Sequence, residues 1–502
     1  MPNTIVVGSL ADARRLLPLF ASDSASGDIS GLIFNGLTKY DKNIRIVGDL
    51  AKSWEIKRNG LEIIFHLRHG VKWQDGQEFT SDDVLFTYNT VTNPDVPTPY
   101  SSNYGPVEKV EAPDKYTVKV FYKEPFAPAL ESWGMGILPK HILYGKDLTK
   151  DEYSRHPVGT GPYKLKEWIT GQRIELEAFN GYFEGRPNID RYIMRVIPDE
   201  ATMFLELKFG GIDYMTLTPA QYKNQAHKKF FEKYFHRFRY PSFGYTYIGW
   251  NLLDDRFRDV RIRRALSHAI DKTSLIKGVL MGYGTKCTGP FPPESWAYNP
   301  NVKDPEYNIS RSLELFSEAG WTLKGGVLQK DGRPFRFTLL TNQGNTERLL
   351  AAQIIKEDLS RVGVDVKIKV LEWQSLLHEF IDKKRFEAVV LGWALSRDPD
   401  LYDIWYSAKT KEGEFNFISY KNPEVDKLLI EGRQTFDMEK RKRIYYRIHA
   451  ILAEDQPYTF LYVPDALVLL SKRFKGVEKA PIGLWYDFIH WHVPADRNMW
   501  YN

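Results

Sequence analysis

Residues 348–362, RLLAAQIIKEDLSRV, followed by Gly363 and by VDVKIKV at 364–370, carry the clearest architectural signal in the chain. The first part sets apolar side chains at helical spacing and reads as an amphipathic helix. Gly363 stands where a left-handed glycine commonly ends a helix. The second part alternates apolar and polar residues strictly, as a half-buried strand does. A helix feeding straight into a strand is a unit of an α/β fold.

Outward from this unit, strands and helices alternate irregularly. Ile63–Leu67 reads as a strand and QDGQ (74–77) as a turn. Thr80-Ser81-Asp82-Asp83 opens a helix, because hydroxyl caps and first-turn acids satisfy free N–H groups and suit the helix dipole. Asn93-Pro94 stops that helix, and Pro94, Pro97, Pro99 and Pro106 mark an extended loop. Tyr116–Val120 and Arg173–Glu177 alternate as strands, HPVGTGPY (156–163) is a tight, rigid turn, and Glu200–Lys208 is a short helix. Asp259–Leu280 has helical spacing, Phe386–Leu391 reads as a buried strand, and two further helices begin near Pro423 and Met438. The chain thus falls into three regions, the second starting near His156 and the third near Tyr245. There are no internal repeats.

With 502 residues the chain is too long for one hydrophobic core, so two or three domains are expected. Its 43% hydrophobic and 26% charged residues are the balance of a folded globular protein. The net charge of +5 is spread through mixed stretches such as KKRFE (383–387), and no basic block points to nucleic acid. Cys287 is the only cysteine, which excludes an internal disulfide and a four-thiolate metal site. No apolar run approaches the roughly 20 residues of a spanning helix; ALVLLS (466–471) is strand-sized. Met1–Gly8 runs directly into a strand-like segment with no secretion signal, so the expectation is either a cytosolic protein or one whose secretion segment was removed.

A search for catalytic patterns finds no phosphate loop, no dinucleotide fingerprint and no nucleophile elbow. The pairs His66/His69 and His490/His492 lack a metalloprotease context, and neither a metal site nor a cofactor is expected. Gly392 to Tyr406 is the richest constellation: one Arg, three Asp and four aromatic residues. Trp393 directly follows the buried strand, at the carboxyl end where open α/β sheets place ligands. A solvated turn over core aromatics fits this segment equally well.

Several ordered motifs over nearly the whole length resemble the solute-binding proteins of the peptide/nickel-type ABC importers, solute-binding protein family 5. They are IFNGLT (33–38), DLAKSWE (49–55), FHLRHGVKWQDG (65–76) with FTSDDV (79–84), PVGTGPY (157–163), DVRIRRAL (259–266) and Pro464-Asp465. The resemblance implies a two-lobed periplasmic-binding-protein fold of type II, α/β in class, hinge-linked, with an extra α/β domain inserted in lobe I. Lobe I would comprise 1–38, 157–245 and 473–502, the extra domain 39–156, and lobe II 246–472. The hinge would cross near Tyr240–Tyr247 and near Lys472. The implied protein is periplasmic or cell-surface, monomeric, not an enzyme, and partnered by the permease subunits of a membrane importer.

In peptide-binding relatives an Asp three residues after the cleft Trp holds the ligand's ammonium group; here that position is Ser396. Asp398, in the early Asp398-Pro399-Asp400 motif, is a candidate substitute. The expected ligand is an oligopeptide or similar polar oligomer, with an oligosaccharide as the alternative and a peptide- or glycan-acting hydrolase as a second alternative. Candidate ligand contacts are Tyr245 and Tyr247 at the hinge and, in lobe II, Asn342, Gln343, Asn345, Trp393, Ser396, Arg397, Asp398, Asp400 and Tyr402. In lobe I and its extra domain they are Ser22, Asp23, Ser24 and Trp133.

Overall fold

The computed structural model describes residues 3–150 and 152–494. Met1, Pro2, Asp151 and residues 495–502, the end of the tail expected to return to lobe I, lie outside the described residues.

Both lobes are built on one strand, Tyr458–Ser471. Its sequence, YTFLYVPDALVLLS, is apolar on both faces, and such strands need cover on both sides. The first half pairs antiparallel with Gly244–Trp250, setting Phe460 against Tyr247. The second half pairs with Phe235–Pro241, from Ser471 against Phe235 to Asp465 against Pro241, and with Tyr214–Thr216. Two segments therefore cross between the lobes, Pro241–Gly244 and Val463–Asp465. They are tied together where Ser242 donates its N–H and its hydroxyl to the Pro464 carbonyl, at 3.0 and 2.7 Å. The second crossing comes earlier than the Lys472 position implied by the resemblance, because residues 466–471 are needed to complete the lobe I sheet.

The lobe I sheet continues from Tyr214–Thr216 through Thr4–Ser9, Arg191–Val196, Arg173–Ala178 and Tyr163–Ile169. The inserted region carries its own antiparallel sheet, in the order Ala51–Lys57, Glu62–Leu67, Thr117–Tyr122, Val107–Asp114. Its core residues Phe65, Trp73, Val84 and Trp133 belong to the same apolar cluster as Ile5, Ile29 and Leu176, so insertion and lobe pack as one body. The lobe II sheet runs Asp365–Leu371, Arg336–Asn342, Ala388–Ala394, Gly244–Trp250. Gly244–Trp250 shows why it is covered on both faces: Ile248 and Trp250 join one cluster, Tyr245 and Tyr247 another.

Most elements start where their caps dictate. Thr80 and Asp83 form a capping box for the helix Ser81–Val91. The helix read at 348–362 spans Thr346–Ser360, because the Asn345 side chain accepts the Arg348 N–H and starts it earlier. The Asp259–Leu280 stretch is two helices, Val260–His268 and Lys272–Leu280. Asp271 separates them by accepting the Thr273 and Ser274 N–H groups as a new N-cap.

The turn at 157–163 seats the inserted region. Gly161 donates its N–H to the Ile33 carbonyl at 2.7 Å. Gly159 lies so close that an added Cβ would sit 1.8 Å from that carbonyl oxygen. Gln74, from the QDG turn, accepts the Gly159 N–H at 3.0 Å and donates to the Tyr163 carbonyl at 2.7 Å.

Candidate ligand-binding cleft

Between the lobes lies a cavity of about 1190 Å³. Lobe I and its insertion wall it with Ser22–Ser24, Tyr40 and Glu131; lobe II contributes Tyr245, Tyr247, Arg348, Trp393, Ser396, Asp398 and Asp400. The rim is bridged directly. Arg14 pairs with Asp382 at 2.8 Å, Gln374 donates to the Asp12 carbonyl at 3.1 Å, and the Thr346 N–H reaches Glu200 at 3.1 Å. The lobes are thus in a closed arrangement.

Trp393 belongs to the strand Ala388–Ala394, opposite Tyr245, rather than to the loop after it. Its indole N–H donates to the Tyr458 hydroxyl at 3.3 Å. Its ring is parallel to Tyr247 and edge-on to Phe415, at 6.3 and 5.5 Å. This gives the cavity an aromatic wall. Tyr245 and Tyr247 line it but are almost wholly buried behind that wall.

The acidic residues after Trp393 take other partners. Asp398 makes a bidentate ion pair with Arg441, at 2.6 and 2.7 Å. Burial pushes the Asp398 carboxyl up and the Arg441 guanidinium pulls it down; with two such short bonds the pair is held charged. Asp398 is therefore Arg441's counter-ion, and its carboxylate is not a free substitute anchor. Asp400 is gripped likewise by Arg433, at 2.8 and 3.0 Å. Tyr402 lies off the cavity wall, stacked on Tyr406 at 4.2 Å with the Arg433 guanidinium 3.9 Å from its ring. Arg397 also lies off the wall, 4.1 Å from the Phe243 ring and bonded to the Ile482 carbonyl.

The amide cluster of lobe II is structural. Asn342 accepts from Arg348 at 2.9 Å, Asn345 caps its helix, and the Gln343 side chain is exposed away from the cavity. Trp133 is core, 1% exposed, donating to the Tyr122 hydroxyl at 3.0 Å and packed on Phe65 and Tyr104. Of the lobe I loop, Ser22, Asp23 and Ser24 all line the cavity. Asp23 accepts from the Ser26 N–H and hydroxyl at 3.0 and 2.6 Å as a helix N-cap, and burial raises its carboxyl.

Three wall residues escaped the sequence reading. Arg348 stands in the first turn of its helix, where a cation opposes the dipole; that misfit was the available signal. Glu131 lies two positions before Trp133, in the segment singled out for its tryptophan. Tyr40 gave no signal. The Glu131 carboxylate accepts the Asp398 N–H at 3.1 Å, from the opposite lobe, and the Tyr40 and Ser396 hydroxyls face it. Burial first, then the Asp398 charge, push Glu131 up to about 7.

The histidine pairs make ordinary contacts: His66 meets Glu55 at 2.8 Å, His69 stacks on Tyr116, and His490 meets Asp487. Among the described residues no group of three or more potential ligands is arranged for a metal. No described helix is long and apolar enough to cross a membrane.

The sequence pattern of the bacterial extracellular solute-binding proteins, family 5 (middle region), matches residues 45–415. The chain belongs to this family. The family 5 protein is 37% identical to the oligopeptide-binding protein AppA of Bacillus subtilis (strain 168), over 97% of this chain and 91% of the relative. The structure of Bacillus subtilis AppA in complex with a nonapeptide superposes with a TM-score of 0.93 at 35% identity, covering 98% of this chain and all (100%) of that one. NikZ of Campylobacter jejuni, in complex with Ni(L-His), superposes at 0.90 with 27% identity over 98% and 100% of the two chains. The two-lobed α/β architecture of the family 5 protein is thus that of its solved relatives, which are binding proteins.

Proposed function

We propose that this chain is the substrate-binding component of an ABC importer, which captures an oligopeptide between its lobes and delivers it to a membrane permease. The observation that carries the reading is the cavity. About 1190 Å³ walled by both lobes exceeds the roughly 300–1,000 Å³ of sites for drug-sized ligands and suits an oligomer. The aromatic wall at Trp393 offers area to side chains, and Glu131 and Arg348 place opposite charges in the wall. A zwitterionic peptide can use both charges; a neutral oligosaccharide uses neither. The nonapeptide complex of the 37% identical relative supports the same choice.

In this reading the protein acts outside the cytoplasm, at the cell surface or in the periplasm, as a monomer without a cofactor and without turnover. Lobe I comprises residues 1–38 and 157 to the crossing at Pro241–Gly244, with the C-terminal tail; the insertion is 39–156; lobe II runs from that crossing, taking in the strand Gly244–Trp250, to the crossing at Val463–Asp465. Ligand touching both lobes closes them by its differential affinity for the closed state. Moving the population from mostly open to mostly closed takes about 5.5 kcal/mol, within the roughly 8 kcal/mol of a micromolar ligand.

Native mass spectrometry of the purified protein, paired with solution scattering, tests this. The expected result is a co-purifying peptide, recovered intact, and a radius of gyration that shrinks on rebinding it. A saturating ligand recovered as fragments would return the hydrolase. A bound sugar would return the oligosaccharide reading.

A further inference from the structure

Glu131 is the one carboxylate of the cavity wall that has neither a basic partner nor a helix to cap among the described residues. Its neighbours are provided for: Asp398 by Arg441, Asp400 by Arg433 and Asp49 by Lys39. Among the described residues no Lys, Arg or His nitrogen lies within ion-pair distance of Glu131 itself. Arg397 is near enough to sense its charge, but its guanidinium is turned onto Phe243 and the Ile482 carbonyl. A carboxylate withdrawn from water is ordinarily paired. An unpaired one in a ligand cavity, next to the Asp398 charge, is a place where a cation is wanted.

The surroundings specify which cation. Glu131 takes the Asp398 N–H from lobe II at 3.1 Å. The hydroxyls of Tyr40 and Ser396 face the same carboxylate from the insertion and from lobe II. An ammonium group has three donors and no acceptor, and here it meets one carboxylate and two hydroxyl oxygens that can turn their lone pairs to it. Ser396 is the position that lacks an acid in this chain, and the Glu131 carboxylate reaches it from the other side of the cleft.

Resting on the peptide reading above, we propose that Glu131 anchors the α-ammonium group of the bound peptide, so that the anchoring charge comes from the insertion of lobe I rather than from lobe II. The peptide N-terminus then lies where both lobes meet, and its capture ties them together. Protons compete for the same oxygens. Burial and the Asp398 charge hold Glu131 near 7. The other titratable or charged groups around it are Tyr40, Arg397 and the Asp398–Arg441 and Asp400–Arg433 pairs. Below pH 7 the peptide amine stays protonated, so affinity for a free-amine peptide should fall as the pH drops from about 7 to about 5.

The test uses a random mixture of peptides of two to ten residues, half of it N-acetylated, offered to the full chain and read by native mass spectrometry. The expected result is retention of free-amine peptides with at least tenfold preference over acetylated ones. Glu131→Gln, which keeps the shape, should abolish that preference, and Glu131→Asp should retain part of it. Thermal melts establish that both variants are folded. Equal retention of both halves by the wild type, or an unchanged preference in folded Glu131→Gln, overturns the anchor and leaves the peptide reading standing. Retention of no peptide from either half overturns both.

Discussion

Replacing Asp398 by Asn separates two roles that the sequence left superimposed. If the carboxylate were the ligand anchor, the variant would fold normally and bind poorly. The structure makes it the counter-ion of Arg441, which is 5% exposed against 16% for Asp398. Arg441 also bonds the Gly432 carbonyl at 2.9 Å and lies over the Trp296 ring, so it cannot swing out to water when its partner is removed. Breaking one member of such a buried pair costs about 3–5 kcal/mol, because the remaining charge is left uncompensated. Asn keeps the volume and one acceptor, which places Asp398→Asn near the lower end, about 3 kcal/mol. Arg441→Met in the same background removes the stranded charge. The double variant should therefore be more stable than Asp398→Asn alone, with a coupling of about 2–3 kcal/mol in a double-mutant cycle. Urea unfolding at pH 7, followed by a probe in lobe II, measures all four corners. An Asp398→Asn protein that unfolds within 0.5 kcal/mol of the wild type but has lost its ligand would refute this reasoning and restore the anchor role.

Trp393→Ala should weaken ligand binding by about 1.5–3 kcal/mol, the worth of a large apolar contact, as measured by calorimetry; unchanged affinity would leave the ring as packing for Tyr247 and Phe415 only. His449 is fully buried, its Nδ1 accepting the Asn299 N–H at 3.0 Å and its Nε2 meeting Thr288 at 3.1 Å, and burial pushes it down to about 4. Its folded value lies below the unfolded one near 6.5, so unfolded chains take up the proton first and stability falls as pH drops from 6.5 to 4. The loss is about 1.4 kcal/mol per pH unit; in His449→Gln the unfolding free energy should depend less on pH across that window, and an identical slope would exclude the residue as the cause. Gly159→Ala drives a methyl group into the Ile33 carbonyl and should cost about 3 kcal/mol or more, whereas Gly27→Ala, with nothing within 4 Å of its Cβ, should gain up to about 1 kcal/mol. Equal melting temperatures for these two variants would contradict the close packing of the 157–163 turn.

The architecture was legible where local signals agree with the global fold. The capping residues at Thr80 and Asp83 and the glycine at 363 gave element ends within a residue or two, because they act through backbone groups next to them. The single stretch read at 259–280 hid a break, since apolar spacing continues across the cap that Asp271 supplies. The cleft was half legible. Ser22–Ser24, Trp393, Ser396, Asp398 and Asp400 do come together in the wall. The partners of the charged residues were not readable, because Arg441 and Arg433 approach from helices far along the chain, and only their positions show that Asp398 and Asp400 are engaged. The amides at 342–345 have partners that were unreadable for a related reason: an Asn before a helix is first a cap, and Asn345 accepts the Arg348 N–H. Trp133 is packed in the core, since a tryptophan can fill a core as readily as a cleft, while Glu131 two positions before it lines the wall.

The strand Tyr458–Ser471 sets an order of events during synthesis. Tyr214–Thr216 finds its partner only at residues 468–470, roughly 250 residues later. At about 5–20 residues per second the first sheet of the protein waits some tens of seconds with an open edge after its other strands have been made. Lobe II, by contrast, is continuous and can begin to fold while its last strand is still emerging. The edge of the lobe I sheet therefore stays open while the whole of lobe II is synthesised, and only residues 465–471 seal it.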